Sequence, residues 1–153
     1  MINYKIKDYF ELYDGWKKLG IVYTPPLHKR IGNYDQFIEK LYKYAENYAI
    51  MNQGTILGMI SFYANDQEEK VSYITEIIVD TKYQKLGIGK KLIQICIDDA
   101  KEKEMRKIRL EVKKGNSNAI GFYQRMGFQY EGMASDISIY MVCSLEDNGT
   151  IVL

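Results

Sequence analysis

Residues Ile77–Leu92 read IIVDTKYQKLGIGKKL, and this stretch decides the fold. Ile77, Ile78 and Val79 are a short apolar run that predicts the end of a buried strand. Asp80-Thr81-Lys82 is a polar turn, and beyond Gly89 the spacing becomes helical, with Leu92, Cys96 and Ala100 four apart. A strand therefore runs into a glycine-containing turn that opens a helix. That turn leaves backbone N–H groups unpaired at the helix N-terminus, where the macrodipole also favours negative charge. Gly87 and Gly89 let the backbone approach a bulky anion, and Lys85, Lys90 and Lys91 add positive charge. The pattern points to a phosphate or pyrophosphate site.

Two familiar phosphate loops are excluded by spacing. The GxxxxGK[ST] pattern is absent. A dinucleotide fingerprint needs a third small residue where Leu92 stands.

Outward from the loop, elements follow in the order β-α-α-β-β-β-α-β-α-β-β. A strand is expected over 3–7, then a helix over 8–19 capped by Asp8 and stopped by Gly20. Ile21–Gly32 holds both prolines, Pro25 and Pro26, with His28, and reads as an irregular loop. A helix over Tyr34–Ala45 presents Phe37, Leu41, Tyr44 and Ala45 on one face, with Ile38 and Tyr42 beside it. Tyr48–Met51 and Thr55–Tyr63 form a hairpin around Asn52-Gln53-Gly54. Val71–Val79 is the strand that feeds the loop, and the helix behind it runs to about Glu104. Ile108–Val112, the helix Ser117–Met126 with Gly127 behind it, and strands Phe128–Glu131 and Ile137–Cys143 close the chain. Glu146–Gly149 reads as a frayed tail. This order implies an α/β (α+β) fold, a mixed and mostly antiparallel sheet flanked by helices on both faces.

Composition narrows the class. With 153 residues the chain is expected to form a single domain, 1–153. Lys plus Arg is 21 against 20 for Asp plus Glu, and this balance argues against nucleic acid as partner. No apolar run reaches the 18 residues of a membrane span, so no membrane partner and a cytoplasmic location are expected. Cys96 and Cys143 lack metal-type spacing, and Cys96 falls on an apolar helix face; no metal is expected.

Gln84-Lys85-Leu86-Gly87-Ile88-Gly89 resembles the Q/R-x-x-G-x-G/A motif of the GCN5-related N-acetyltransferases. Two further stretches carry the same resemblance. Arg109-Leu110-Glu111-Val112 resembles the family's fifth strand, and Asn116 to Phe128 resembles N-x-x-A-x-x-[FL]-Y-x-x-x-G-F. Ile77–Phe128, about a third of the chain, matches the spacing of ribosomal-protein N-terminal acetyltransferases without a gap. Those enzymes carry a longer C-terminal segment, which argues here against that one acceptor.

The resemblance implies an acetyl-CoA-dependent N-acetyltransferase acting by direct attack of an amine on the thioester. It implies that the backbone of Ile77, Ile78 and Val79 pairs with the acetyl carbonyl and pantetheine amide. Gln84, Lys85, Leu86, Gly87, Ile88, Gly89 and Lys90 would hold the pyrophosphate, and Asn116 would contact the pantetheine arm. Tyr123 would protonate the departing thiolate. Glu111 and Glu76 are the two candidate bases, with a water chain as the third choice. The structural alternatives are a helix cap for Asn116, a packing ring for Tyr123 and ion-paired carboxylates for the glutamates. Ile21–Gly32, with Tyr23, His28, Lys29 and Arg30, and the short connection Gly132–Asp136 would border the acceptor. The partners implied are acetyl-CoA and an amine acceptor, with a homodimer left open. A small-molecule amine is the first expectation and a protein N-terminus or lysine the second. A non-catalytic acyl-CoA sensor is the alternative from another class.

Overall fold

The computed structural model describes residues 1–23 and 25–146. Its elements are β1 (Ile2–Lys5), α1 (Tyr9–Leu19), α2 (Leu27–Arg30), α3 (Tyr34–Tyr44), β2 (Glu46–Asn52), β3 (Thr55–Tyr63), β4 (Val71–Val79), α4 (Ile88–Glu102), β5 (Lys107–Lys113), α5 (Ser117–Arg125), β6 (Gln129–Met133) and β7 (Ser138–Ser144). The strands form one sheet in the order β1-β2-β3-β4-β5-β7-β6. Among the registered pairs β4 and β5 run parallel and the others antiparallel, so the expected mixed, mostly antiparallel sheet is present. The chain divides into two compact units, 1–63 with 75–95, and 64–74 with the segment from 96 onward.

In the first unit, β2 and β3 meet at a two-residue turn, Gln53 and Gly54, both with positive φ (49° and 80°). Such a turn matches the twist of an antiparallel pair, which is why the hairpin was legible from Asn-Gln-Gly. β3 is buried from Leu57 to Phe62, so it reads as an apolar run rather than an alternating one. Leu12, Trp16 and Leu19 bury one face of α1, and Leu27, Ile38, Leu41, Ala49, Met59 and Ile78 complete the core. Asp8 caps α1 by accepting from the Glu11 N–H, as expected.

Two sequence readings are corrected here. Ile21–Gly32 is not wholly irregular, because it begins within a 3-10 turn, Gly20–Val22, and contains the single turn α2. A proline is barred from a helix interior but not from its start, where its missing N–H is not needed. Pro26 sits at that start, and its carbonyl accepts from the Lys29 and Arg30 N–H groups at 2.9 Å. On α3 the buried stripe is Tyr34, Ile38 and Leu41, while Tyr42 and Tyr44 are exposed. At 3.6 residues per turn both tyrosines lie about 80° from the centre of that stripe, on opposite flanks.

A polar chain is buried inside this unit. The Trp16 indole N–H donates to Ser61 Oγ (3.0 Å), which donates to Asn47 Oδ1 (2.6 Å). Asn47 in turn donates to the Leu41 and Ala45 carbonyls. Every member is satisfied, so the core tolerates it. Ser61→Ala is expected to cost about 1–3 kcal/mol, because it strands a buried indole N–H. Urea unfolding measures this directly, and an unchanged midpoint would show that the indole finds another acceptor.

In the second unit, Val71–Ile74 of β4 register against Lys107–Leu110 of β5. β5 pairs with β7 along its whole length, and β7 with β6. Ile108, Leu110 and Val112 face inward with Met141 and Cys143, leaving Glu111 exposed. Cys96 is fully buried, and burial pushes its thiol pKa up, so it is an inert core group. Of the expected tail, residues 147–149 lie outside the described residues. Among the described residues no helix is long and apolar enough to cross a membrane.

Candidate active site

The first unit carries the anion-type loop. β4 ends at Val79, and the Asp80 N–H donates to the Leu57 carbonyl on β3 at 2.8 Å. The Asp80 carboxylate then accepts from the Lys82 N–H (3.0 Å), winding residues 81–83 into a 3-10 turn. This seats the start of the loop on the sheet. β3 comes closest at Gly58, where a Cβ would lie 2.9 Å from the Ile78 carbonyl oxygen. It would also press on Ile88 and Leu92 at 3.0 and 3.1 Å. Only glycine lets β3, the end of β4 and the first turn of α4 approach so closely.

Beyond the 3-10 turn the backbone becomes left-handed twice, at Lys85 (φ 70°) and Gly87 (φ 78°). Alternating hand of this kind is the backbone geometry in which successive N–H groups can turn toward one side. Gly87 has open space where a Cβ would be, so its demand is conformational rather than steric. Its carbonyl takes the first α4 bond, from the Lys91 N–H at 3.1 Å. Ile88 and Leu92 are buried and anchor the helix, while Gln84, Lys85, Leu86, Gly87 and Lys90 are exposed. The loop thus brings a helix N-terminus and the exposed Lys85 and Lys90 together, a combination suited to an anion.

On the strand feeding that loop, Glu76 has a side chain only 14% exposed. Arg30 of α2 reaches it with Nη2 3.2 Å from Oε1, and the Tyr23 hydroxyl also hydrogen-bonds the carboxylate. The guanidinium lies over the Tyr23 ring, 4.6 Å from its centroid. Burial raises the Glu76 pKa to about 7, against the opposing pull of Arg30 and Tyr23. A carboxylate poised there can take a proton near neutral pH. Tyr23 and Arg30 were legible as loop residues, but no local pattern joins residue 30 to residue 76.

In the second unit the remaining candidates have different surroundings. Glu111 is exposed and accepts from Ser138 Oγ at 2.6 Å, and Ser138 also bonds Ser135 Oγ at 2.9 Å. Its carboxylate therefore braces the turn between β6 and β7. Ser138 carried no signal in the sequence, because its role comes from the β5–β7 register. Asn116 caps α5 with Oδ1, accepting from the Ala119 N–H at 3.2 Å, which leaves its amide NH2 as a donor. Tyr123 is half-buried on α5, its ring edge-on to Phe122 (5.4 Å) and Phe128 (5.8 Å). Among the described residues no group of His, Cys, Asp or Glu could hold a metal ion.

Comparison with known proteins gives a consistent result. Residues 11–128 match the profile of the acetyltransferase (GNAT) family. A curated relative, the spermine/spermidine N(1)-acetyltransferase of Bacillus subtilis (strain 168), is 32% identical over 76 residues. That match covers 49% of the chain and 50% of the relative, and the chain spans half the length or less of the first curated relatives. Among solved structures, the ribosomal-protein-S18-alanine N-acetyltransferase from Escherichia coli superposes with a TM-score of 0.74 at 18% identity. That superposition covers 95% of both chains. A putative streptothricin acetyltransferase from Bacillus anthracis str. Ames, solved in complex with acetyl coenzyme A, gives a TM-score of 0.59 at 33% identity. Its alignment covers 66% of this chain and 62% of that one. The family profile spans most of the chain, including the loop, β5 and α5, and the chain belongs to the acetyltransferase (GNAT) family.

Proposed function

We propose that this chain is an acetyl-CoA-dependent N-acetyltransferase whose acceptor is the primary amine of a small molecule. One observation carries the reading. A largely buried carboxylate with a pKa near neutrality, Glu76, stands on the strand that runs into the loop at residues 84–90. A base and a pyrophosphate seat on one element are what acetyl transfer to an amine requires.

Acetyl-CoA would supply an activated acyl thioester. The residues then divide the work. Backbone N–H groups of the loop and of the first turn of α4 hold the pyrophosphate, with Lys85 and Lys90 beside them. The backbone of Ile77, Ile78 and Val79 orients the acyl arm and offers an N–H to the developing oxyanion. Glu76 takes the ammonium proton of the acceptor and frees its lone pair. Tyr123 is assigned the proton given to the departing thiolate, and Asn116 a contact to the pantetheine arm through its amide. Glu76 is preferred to Glu111 as base because Glu111 is exposed and already bonded to Ser138.

The acceptor class rests on similarity to relatives named for small amines, a polyamine in one case and streptothricin in another. Thiol release from acetyl-CoA, measured against polyamines, aminoglycosides, amino acids and N-terminal or lysine peptides, tests the proposal. Turnover restricted to peptides would overturn the acceptor class. No release with any amine, together with tight acetyl-CoA binding, would indicate a sensor domain.

The cradle has its own test. Gly87→Val forces a β-branched residue into the left-handed region, which disfavours the loop conformation by about 1–2 kcal/mol without burying the new side chain. Coenzyme A affinity by calorimetry is expected to fall about fivefold to thirtyfold, the same change of about 1–2 kcal/mol. Unchanged affinity in a folded variant would remove the pyrophosphate assignment.

A further inference from the structure

We propose that Tyr23 and Glu76 form the seat for the acceptor's ammonium group, and that Arg30 fills that seat as a built-in competitor until the acceptor displaces it. The inference rests on the acetyl-transfer reading above and goes further, to the acceptor's entry and its charge. A cation in a protein is held best by a carboxylate on one side and an aromatic face on another. Both are present: the Arg30 guanidinium lies 3.2 Å from Glu76 Oε1 and 4.6 Å from the Tyr23 ring centroid. The Tyr23 hydroxyl fixes the carboxylate from a further side. An amine that is to give its proton to Glu76 must approach the oxygen that Arg30 now occupies.

The two partners differ in their freedom to move. Glu76 is 14% exposed and set in a strand, whereas the Arg30 side chain is 37% exposed at the end of a single helical turn. Arg30 can rotate into water at little cost, since its guanidinium is hydrated there, while Glu76 cannot follow. The seat therefore stays in place when its occupant leaves. Lys29, next to Arg30 on the same turn, is exposed, whereas His28 turns its Nδ1 inward and lies edge-on to Tyr34. The seat itself selects for positive charge.

Arg30→Gln removes the competitor and keeps most of the side-chain length. The Michaelis constant for a monoamine acceptor is expected to fall about five- to tenfold, the combined worth of a partly exposed ion pair and one cation–aromatic contact. The acetyl-CoA constant should stay where it is, and Arg30→Lys should behave like the wild type. Methylguanidine, a free copy of the Arg30 head group, should bind Arg30→Gln about five- to tenfold more tightly than wild type in calorimetric titration. A rise in the amine constant, or equal methylguanidine affinities, would show that Arg30 only braces Glu76 and would overturn the proposal. If no amine supports thiol release the acetyl-transfer reading fails, and the methylguanidine titration still decides the seat.

Discussion

Tyr123→Phe is expected to lower turnover about a hundredfold to ten-thousandfold, the usual worth of one positioned general acid. The departing thiolate needs its proton only as the bond to the acyl carbon breaks. An interaction confined to the transition state lowers kcat and kcat/KM together and leaves ground-state binding alone. Acetyl-CoA affinity should therefore change little. Removing one oxygen from a half-buried ring that already packs against Phe122 and Phe128 should leave α5 folded. Steady-state kinetics with calorimetry on the same variant separate the possibilities. If affinity dropped in proportion to rate, the hydroxyl would be a binding group and the acid would lie elsewhere.

Glu76→Gln carries the second large effect, again about a hundredfold to ten-thousandfold in kcat/KM above neutrality. A base must be the ionised carboxylate, so if Glu76 fills that role wild-type activity should be lost as pH falls through about 7. The glutamine variant should lack that limb. The loss should be greatest for an ε-type amine, whose deprotonation at pH 7 costs about 4.6 kcal/mol, and smaller for an α-amine at about 1 kcal/mol. Stability runs the other way. Burial raises this carboxyl from the ordinary 4.5, so its contribution is fully present below about 4.5 and lost as pH rises through about 7. Denaturant unfolding at pH 5 and pH 8 should show the wild type weakening and Glu76→Gln nearly level. A full pH limb surviving in Glu76→Gln, but vanishing in Glu111→Gln, would move the base to β5.

How much of this was legible beforehand follows from the range of the forces involved. Local signals survived well: Asp8 as a cap, Gln53-Gly54 as a turn, and the strand Val71–Val79 running into the glycine loop all depend on neighbours in the chain. The glycine turn into α4 could be read because the strand end, the glycines and the helix start are adjacent in sequence. The surroundings of the two glutamates could not. Glu76 owes its raised pKa to burial, opposed by its partners Arg30 and Tyr23, and Glu111 owes its hydrogen bond to the β5–β7 register. Both partnerships are made by tertiary packing between distant segments. α2 escaped for a milder reason: two prolines argue against a helix interior, yet one of them stands where a helix can begin. The exposure of Tyr42 and Tyr44 shows that a helix can bury a narrower stripe than its aromatic content suggests.

The close passage of β3 at Gly58 divides the molecule into what can be redesigned and what cannot. A methyl group there would collide with a backbone carbonyl, which has no rotamer to escape into. The strand carrying Ile77–Val79 or the first turn of α4 would have to shift instead. A library aimed at new acceptors can therefore range over Tyr23, His28, Lys29 and Arg30, whose half-exposed side chains can change without moving the sheet. Gly58 should be kept invariant in every member, because it sets how closely β3 approaches the end of β4 and the start of α4.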